Sequence, residues 1–365
     1  MGFRCGIVGL PNVGKSTLFN ALSGAAAAEA ANYPFCTIEP NVGRVPVPDS
    51  RLDRLAAISG SAVRTPAVID FVDIAGLAKG ASQGEGLGNR FLARIREVDA
   101  IVHVLRCFDD DRVTHVTGRP DPVADAEVVE TELLLADLGT LERTQDRLIK
   151  SARSGDRSSR QRLEIVERSI QQLGDGQPAR ELADESNAAL FRELGLLTNK
   201  PVLFVANVAE SDVHHGNALT QAAAAHAATH DADLLLVSAQ LEAELIELEA
   251  AEDREAFLGS VGLSESGLLR VARAGYALLG LITFFTANPK ETRAWTISAG
   301  TAAGSAAGVV HSDFERGFIA AETAAFDTFV EAGGEQGARA SGQLRSEGRD
   351  YVVRDGDVIL FRFNL

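Results

Sequence analysis

Residues 9–16, with the sequence GLPNVGKS, match the phosphate-binding loop pattern G-x-x-x-x-G-K-[ST]. In this pattern backbone N–H groups surround phosphate oxygens, the lysine reaches the β- and γ-phosphates, and the serine hydroxyl ligates Mg²⁺. The stretch Arg4–Val8 is typical of a buried strand, and residues 17–22 are typical of a helix that ends at Gly24. A helix N-terminus after a glycine loop directs N–H groups and a favourable dipole at an anion. The pattern therefore predicts that a nucleoside triphosphate binds here through Asn12, Val13, Gly14, Lys15, Ser16 and Thr17.

Three residues farther along the chain favour a nucleotide-dependent switch. Asp73 and Gly76 form a D-x-x-G motif after the apolar run 68–72. We expect Asp73 to lie beside the Mg²⁺ and act through a bound water, and the Gly76 N–H to contact the γ-phosphate. The Thr37 hydroxyl would complete the Mg²⁺ shell, together with Ser16, only when a γ-phosphate is present. A metabolic kinase would not need Thr37 and Gly76 together, so the pattern favours a switch NTPase.

The position after Gly76 lacks the side chain that orients water in many GTPases. Those enzymes carry glutamine there, whereas this chain has Leu77. An isobutyl group can neither orient nor deprotonate water, so hydrolysis requires a group from elsewhere.

Residues 207–210, Asn-Val-Ala-Glu, stand where guanine-specific switches have N-K-x-D. Val208 removes the lysine that packs along the loop, and Glu210 is one methylene longer than the aspartate that accepts two guanine N–H groups. Guanine would lose its paired acceptor, and such a mismatch can cost several factors of ten in discrimination. Adenine presents an amino donor and no N1–H, so we expect Asn207 and the backbone near Val208 to serve it. Ser238 and Ala239 would supply the small loop against the base.

The composition excludes several classes of protein. A net charge of −16 argues against a general nucleic-acid binder and against DNA as a partner. The three cysteines, Cys5, Cys36 and Cys107, lie far apart without metal-binding spacing, which indicates a reduced, cytoplasmic protein. No apolar stretch approaches the ~18 residues of a membrane helix, and the phosphate loop leaves no room for a signal peptide.

Four apolar runs without polar alternation predict buried parallel strands at 68–72, 101–105, 202–205 and 234–237. Helical patterns between them predict a doubly wound α/β domain. The interval from Leu105 to Val202 is too long for one crossover. It contains helical stretches at about 123–151, 158–173 and 179–194, which we interpret as an insertion.

The tip of this insertion carries the densest basic patch of the chain. Its members are Arg147, Lys150, Arg153, Arg157, Arg160 and Arg162. Two interpretations stay open: a solvated helix tip with interspersed acids, or a surface that contacts RNA.

The C-terminal part changes from one acidic helix, at 241–257, to short strand-like runs at 282–286 and 294–297. Asp355-Gly356 between the apolar runs 351–354 and 357–363 predicts a hairpin. These features indicate a small α+β module. We therefore predict a nucleotide domain at 1–120 and 199–278, a helical insertion at 121–198, and a C-terminal domain at 279–365.

Six segments carry a resemblance to the Obg-like ATPase (YchF) family. They are 9–16, 32–41 (NYPFCTIEPN), 80–89 (GASQGEGLGN), 207–210, 311–318 (HSDFERGF) and 333–337 (GGEQG). The resemblance covers the whole chain. It implies a P-loop ATPase of the translation-factor class that prefers ATP to GTP, with a coiled-coil insertion and a C-terminal TGS domain of β-grasp type. It also implies association with the ribosome, through the large subunit or the whole particle, and a role in translation or stress responses.

The family resemblance also assigns roles to two residues. It matches His115 to a histidine proposed to aid hydrolysis, which would answer the problem posed by Leu77, although a solvent-exposed histidine stays open. Asn12 matches an asparagine that holds a monovalent cation in related NTPases, so K⁺ is a candidate cofactor beside Mg²⁺. Three functions remain: an ATP-hydrolysing switch on the ribosome, a GTPase of the same architecture, and a nucleotide-gated adaptor with incidental hydrolysis.

Overall fold

The computed structural model describes residues 3–30, 41–74, 87–110, 118–154, 156–248 and 250–364. Thr37, Gly76, Leu77 and His115, named above, lie outside these ranges. The chain forms two compact units. The first takes in the described residues of Met1–Ala25, Ile38–Gly43 and Asp70–Arg270, and the second those of Ala26–Thr37, Arg44–Ile69 and Val271–Leu365.

The strands are β1 (Arg4–Val8), β2 (Val42–Pro46), β3 (Val63–Thr65), β4 (Val68–Asp73), β5 (Ala100–Arg106), β6 (Val202–Asn207), β7 (Leu234–Val237), β8 (Leu281–Ala287), β9 (Glu291–Ser298), β10 (Phe318–Ala325), β11 (Arg345–Glu347) and β12 (Asp357–Phe363). The helices of the first half are α1 (Lys15–Ala30), α2 (Ser50–Ser59), α3 (Leu87–Arg96), α4 (Pro122–Arg153), α5 (Arg157–Gly174) and α6 (Ala188–Leu194). Those of the second half are α7 (Ala218–Thr229), α8 (Ala239–Glu247), α9 (Ala251–Ser260), α10 (Gly267–Leu278), α11 (Ala303–Val310), α12 (Ser312–Arg316), α13 (Phe326–Glu331) and α14 (Glu335–Ala340). Short 3₁₀ turns occur at Ala179–Leu182, Leu197–Asn199 and Glu210–Asp212.

The first sheet has the strand order β2-β4-β1-β5-β6-β7. Its pairs β1/β4, β1/β5, β5/β6 and β6/β7 are parallel, which confirms the predicted doubly wound sheet. Every residue of β5 is buried, as expected for a central strand covered by helices on both faces. Because the strands are parallel, their carboxyl ends meet at one edge, and the loops after β1, β4, β5, β6 and β7 gather there.

Helix α1 continues beyond Gly24, where the sequence predicted its end. The residues after Gly24 are mostly alanine, the strongest helix former, and they outweigh the cost of about 1 kcal/mol for one helical glycine. A Cβ on Gly24 would lie 3.0 Å from Ile246 Cγ2, so glycine permits close packing against α8.

The insertion forms a helical hairpin, as predicted, from α4 and α5. Asp121 and Asp156 cap the two N-termini through backbone N–H groups two or three residues beyond. The third predicted helix, 179–194, is interrupted in the structure. The carboxylate of Asp184 accepts hydrogen bonds from the N–H groups of Ser186 and Asn187, which forms a turn between the 3₁₀ turn and α6.

The prediction of one helix at 241–257 was wrong, because α8 ends at Glu247 and α9 begins at Ala251. Leu248 is extended between them, with φ −78° and ψ 119°, and its carbonyl accepts a hydrogen bond from Arg254 Nε at 2.8 Å.

The second sheet has the strand order β11-β10-β12-β8-β9-β3. The predicted hairpin at Asp355-Gly356 was wrong, because β12 pairs with β10 antiparallel and with β8 parallel. Both edges of β12 are thereby occupied, and Val352 makes only an isolated bridge to Ala302. The turn instead attaches to β8: Thr283 N donates to Asp355 Oδ1 at 2.9 Å, and Gly356 N donates to Thr283 O at 2.8 Å.

The second unit also contains a segment that the sequence did not assign to it. Strand β3 pairs parallel with β9, and Arg51 of α2 contacts Asp355 at 2.6 Å. Residues 44–69 therefore complete a sheet whose other strands begin more than 200 residues later.

None of the described helices combines the length and apolar content needed to cross a membrane.

Candidate nucleotide-binding site

A cleft of about 690 Å³ lies in the first unit, where the carboxyl ends of the parallel strands meet. The residues predicted from the sequence that line it are Asn12, Gly14, Lys15, Ser16, Thr17, Asn207, Val208, Glu210, Ser238 and Ala239. Two motifs almost 200 residues apart are thus brought to one surface. A volume of this size is typical of a site for a small molecule or cofactor.

The phosphate-binding loop has the backbone geometry that its glycines permit. Gly14 has φ +96°, a conformation that L side chains rarely adopt, and a Cβ there would collide with Asn207 Nδ2. Asn12 is also left-handed, with φ +63°, and its side chain is exposed. Helix α1 begins directly after the loop at Lys15, so its first N–H groups face the cleft.

The Lys15 side chain is buried, with 7% of its surface exposed, and Nζ donates a hydrogen bond to Leu10 O at 2.6 Å. Burial lowers the pKa of Lys15 to about 8, and the nearby charge of Asp73 opposes this shift. The ammonium group therefore lies beside the loop in a weakly solvated position, and a bound phosphate would stabilise its charged form.

Asp73 is the last residue of β4, next to β1, as the sequence predicted. Burial raises the pKa of its carboxyl group, and Lys15 acts in the opposite direction. Among the described residues, no group forms a hydrogen bond with its buried Oδ1. An unsatisfied carboxylate oxygen together with the exposed hydroxyl of Ser16 fits the all-oxygen ligands that Mg²⁺ prefers.

Asn207 links the phosphate-binding loop to the loop after β7. Its Nδ2 donates to Val13 O at 2.9 Å, and its Oδ1 accepts a hydrogen bond from Ala239 N at 3.0 Å. Both ends of the amide are therefore bonded within the protein. The side chain of Val13 is also buried, and Val13 is not among the residues that line the cleft.

Val208 contributes to the core beneath the cleft. Its side chain packs among Leu105, Phe204 and Val213, and its N–H donates to Val237 O at 2.9 Å. Glu210, by contrast, is exposed in the 3₁₀ turn that follows. A base in this cleft would meet the exposed groups of residues 209–210 and 240 more readily than the bonded groups of Asn207 and Val208.

Sequence reasoning named His115 from the stretch after β5 but did not include Phe108, Asp109 and Asp110, which also line the cleft. The fully buried Arg106 holds this loop: Nε donates to Phe108 O and Nη2 to Asp110 O, both at 3.2 Å. Its guanidinium group also lies 4.6 Å from the centre of the Phe108 ring. The rule that ligands bind at the carboxyl ends of parallel strands would have found this loop, because β5 is the neighbour of β1.

Two family profiles match the chain. One, described as a 50S ribosome-binding GTPase, matches residues 4–137, and the other, the YchF C-terminal domain described as a protein of unknown function, matches residues 281–364. The proteins named ribosome-binding ATPase YchF from Escherichia coli O157:H7 and Bacillus subtilis are 52% and 49% identical to the chain. Each match covers 100% of both proteins.

Solved structures agree with this comparison. The structure of the Schizosaccharomyces pombe YchF GTPase is 35% identical, with a TM-score of 0.90, over 99% of this chain and 98% of that one. A GTP-binding protein from Pyrococcus horikoshii, 21% identical with a TM-score of 0.61, shares the fold over 99% of this chain. Identity of about half over the full length, with both family profiles in the expected places, confirms the resemblance found from the motifs: the chain belongs to the YchF family.

Proposed function

We propose that the chain is an ATP-binding and ATP-hydrolysing switch that prefers ATP to GTP and associates with the ribosome. The observation that carries this proposal is the cleft in which the phosphate-binding loop meets residues 207–210. The curated relatives are named ribosome-binding ATPases, whereas the homologous protein from Schizosaccharomyces pombe is named a GTPase. The preferred base therefore depends on the residues of the cleft itself.

The base preference rests on the positions of Val208 and Glu210. Val208 is 3% exposed and belongs to the core, so no lysine-like stem extends along the loop from this position. Glu210 sits in a 3₁₀ turn, one methylene longer than the aspartate that reads guanine. A polar site that loses one paired acceptor discriminates strongly against the ligand that needs it.

In this proposal the phosphates lie at the N-terminus of α1, with Lys15 on the β- and γ-phosphates. Ser16 and Asp73 would hold Mg²⁺, which would stabilise the negative charge of the phosphates. Thr37 and Gly76 sense the γ-phosphate, and Asn12 is the candidate contact for K⁺. Ser238, Ala239 and the backbone near Val208 remain the proposed surroundings of the base, and Asn207 positions them.

Hydrolysis requires a group that Leu77 cannot supply, and we assign this role to His115. His115→Ala should lower the turnover number while the ATP dissociation constant stays nearly unchanged, because only the attacking water loses a partner. His215→Ala, at an exposed position of the first unit, is the control. A loss of affinity that equals the loss of rate would contradict this assignment.

Contact with the ribosome is assigned to the tip of the helical hairpin. Arg147, Lys150, Arg153, Arg157 and Arg160 lie there at exposed or partly exposed positions, whereas Arg162 pairs with Glu193 at 2.5 Å. A dense group of surface cations suits a phosphate backbone, which favours the RNA-contact interpretation of this patch. Because ribosomes are the proposed partner, we infer a cytoplasmic location.

Equilibrium titration of the purified chain with ATP and GTP tests the proposal directly. We expect ATP to bind more tightly, and a GTP affinity at least about tenfold higher than that for ATP would overturn the base assignment. Hydrolysis measured with whole ribosomes, with separated subunits, and with K⁺ or Na⁺ then tests the switch. Stimulation by ribosomes supports it, whereas a rate unaffected by ribosomes or K⁺ supports the adaptor function instead.

A further inference from the structure

Two histidines and a glutamate meet in the first unit outside the nucleotide cleft. His226 lies near the end of α7 and His230 caps that helix, so the two rings are four positions apart and share one face. Glu130 of α4 reaches both: its Oε1 lies 3.1 Å from His226 Nε2, and its Oε2 lies 3.6 Å from His230 Nε2. None of the three residues lines the nucleotide cleft.

The spacing of these atoms fits a tetrahedral metal ion. Zn²⁺ binds imidazole nitrogen and carboxylate oxygen at about 2.0–2.2 Å, which places neighbouring ligand atoms about 3.3–3.5 Å apart. The two measured separations, one from each oxygen of Glu130, lie close to this value on either side. One ligand atom from each of the three residues falls within 4.8 Å of the others, so binding would require only small side-chain rotations.

A small cavity supplies room for a fourth ligand. It measures about 30 Å³, close to the volume that one water occupies, and it is lined by His103, Glu130 and His230 among others. His103 is only 2% exposed, and its Nε2 has no hydrogen-bond partner among the described residues. A water on a metal at Glu130 and His230 would be able to donate a hydrogen bond to this buried nitrogen.

The charges around the cluster also favour the binding of a cation. Glu181 Oε1 lies 3.9 Å from His230 Nδ1, and Arg180 lines the same cavity as Glu130. With neutral imidazoles, the two carboxylates and the one guanidinium leave an excess of one negative charge. Two imidazoles with one carboxylate are the ligands of Zn²⁺ and related ions, whereas Mg²⁺ prefers an all-oxygen octahedral site.

We propose that Glu130, His226 and His230 form a binding site for a divalent transition metal of the Zn²⁺ type, with a water in the adjoining cavity as the fourth ligand. The site joins α4, the first helix of the hairpin, to α7, which follows β6 and the residues 207–210 of the cleft. The metal would therefore fix the base of the hairpin against the nucleotide domain.

The experiment uses the full chain, freed of metal with a chelator and kept without nucleotide. Zn²⁺ and Co²⁺ are titrated in competition with a chromophoric chelator, and the visible absorption of Co²⁺ reports its geometry. We expect one ion per chain with tetrahedral Co²⁺ bands. Glu130→Gln, His226→Gln and His230→Gln should each weaken binding by at least about tenfold, whereas His215→Gln should not change it.

Thermal unfolding of the unchanged chain provides a readout that does not depend on the folding of the variants. Zn²⁺ should raise the midpoint, and excess chelator should reverse the rise, because an ion that binds only the folded state stabilises it. Absence of Zn²⁺ and Co²⁺ binding, or binding that all three cluster variants retain, would overturn the proposal. The cluster would then be a hydrogen-bonded group alone.

Discussion

At the scale of single residues, Asn207 determines how the two halves of the nucleotide site meet. Its amide bonds Val13 O on one side and Ala239 N on the other. A side chain that satisfies a buried donor and a buried acceptor in two loops fixes the distance between them. The recognition of phosphate and of the base is thus coupled through one planar group.

We predict that Asn207→Ala weakens ATP binding by up to about thirtyfold, because two hydrogen bonds that each contribute about 1 kcal/mol are lost and the loops separate. Calorimetric titration with ATP measures the effect. The matched control is Asn187→Ala, which also removes a buried amide that bonds backbone groups, those of Leu182 and Asp184, in the insertion. An equal loss of ATP affinity in both variants would show that the effect is one of general stability.

Lys15 gives the site a dependence on pH. The pKa of its ammonium group in the free protein is about 8, and a bound triphosphate favours the charged form. ATP affinity should therefore be constant below this pKa and fall by about tenfold per pH unit above it. Above the pKa, binding of ATP should be accompanied by uptake of one proton. Titrations between about pH 6.5 and 9.5, in buffers of different ionisation enthalpy, measure both quantities.

Lys15→Arg provides the control for this prediction, since a guanidinium group stays charged over the whole range. Its ATP affinity should be lower but nearly independent of pH. If the decline above the pKa persists in this variant, a group other than Lys15 titrates.

At the scale of elements, one carboxylate of α4 bonds the helical hairpin to the segment that leads into β6. Asp137 is 1% exposed and accepts hydrogen bonds from Leu197 N at 2.9 Å, Thr198 N at 2.8 Å and Thr198 Oγ1 at 2.7 Å. Burial raises the pKa of this carboxyl group although all three hydrogen bonds act to lower it. The long helix is thus held to the turn that leads back into β6.

Asp137→Asn should lower the free energy of unfolding by about 2–4 kcal/mol, because an amide N–H₂ would face donors that now have an acceptor. Urea unfolding monitored by circular dichroism measures this change. Asp146→Asn, at an exposed position on the same helix, should stay within about 0.5 kcal/mol of the unchanged chain. A small effect at Asp137 would mean that water replaces the lost acceptor.

The sequence predicted those helices and strands that can be recognised from their own residue pattern. Strands β4, β5, β6 and β7 were found because a parallel strand covered on both faces is apolar at nearly every position. A turn does lie at Asp355-Gly356, but the pairing of the strand after it was not predicted. The sequence of a two-residue turn does not determine which strands pair with β12. The break at Leu248 was missed because it depends on a hydrogen bond from Arg254, which the apolar pattern does not show.

The residues of the candidate site likewise fall into those that local motifs identify and those that they do not. Lys15, Ser16 and Asp73 belong to local motifs: Lys15 and Ser16 line the cleft, and Asp73 ends β4, the neighbour of β1. Arg106 is buried beneath the cleft, and its role rests on contacts with Phe108 and Asp110 that no spacing pattern encodes.

At the scale of the whole molecule, the second unit combines parts that lie far apart along the chain. Residues 44–69 provide β3 and α2, and residues from Val271 onward provide the other strands of its sheet. Arg51 bonds Asp49 and Asp355 and lies 5.3 Å from the centre of the Phe285 ring, so one side chain connects both parts. Within the second unit, a fragment that begins at residue 279 lacks these contacts.

We predict that a fragment of residues 279–365 unfolds without a cooperative transition, because β9 loses its partner β3 and Asp355 loses Arg51. The same fragment from residue 271, joined by a flexible linker to residues 44–69, should unfold cooperatively. Thermal unfolding followed by circular dichroism distinguishes the two. The control is the joined fragment with Arg51→Ala, which we expect to unfold cooperatively at a lower midpoint. Cooperative unfolding of the shorter fragment would show that the C-terminal domain is independent, with the boundaries that the sequence predicted.

Strand β12 occupies an interior position of its sheet, between β10 and β8, although it is the last strand along the described chain. During translation, β12 emerges roughly 300 residues after β3, so the sheet cannot be completed until about 15–60 s later at about 5–20 residues per second. A polypeptide released early, even by the few codons of β12, would leave β8 and β10 with unpaired inner edges. Such edges attract other chains and expose the product to proteases. Because of this strand order, the second unit can complete its sheet only after β12 has been synthesised.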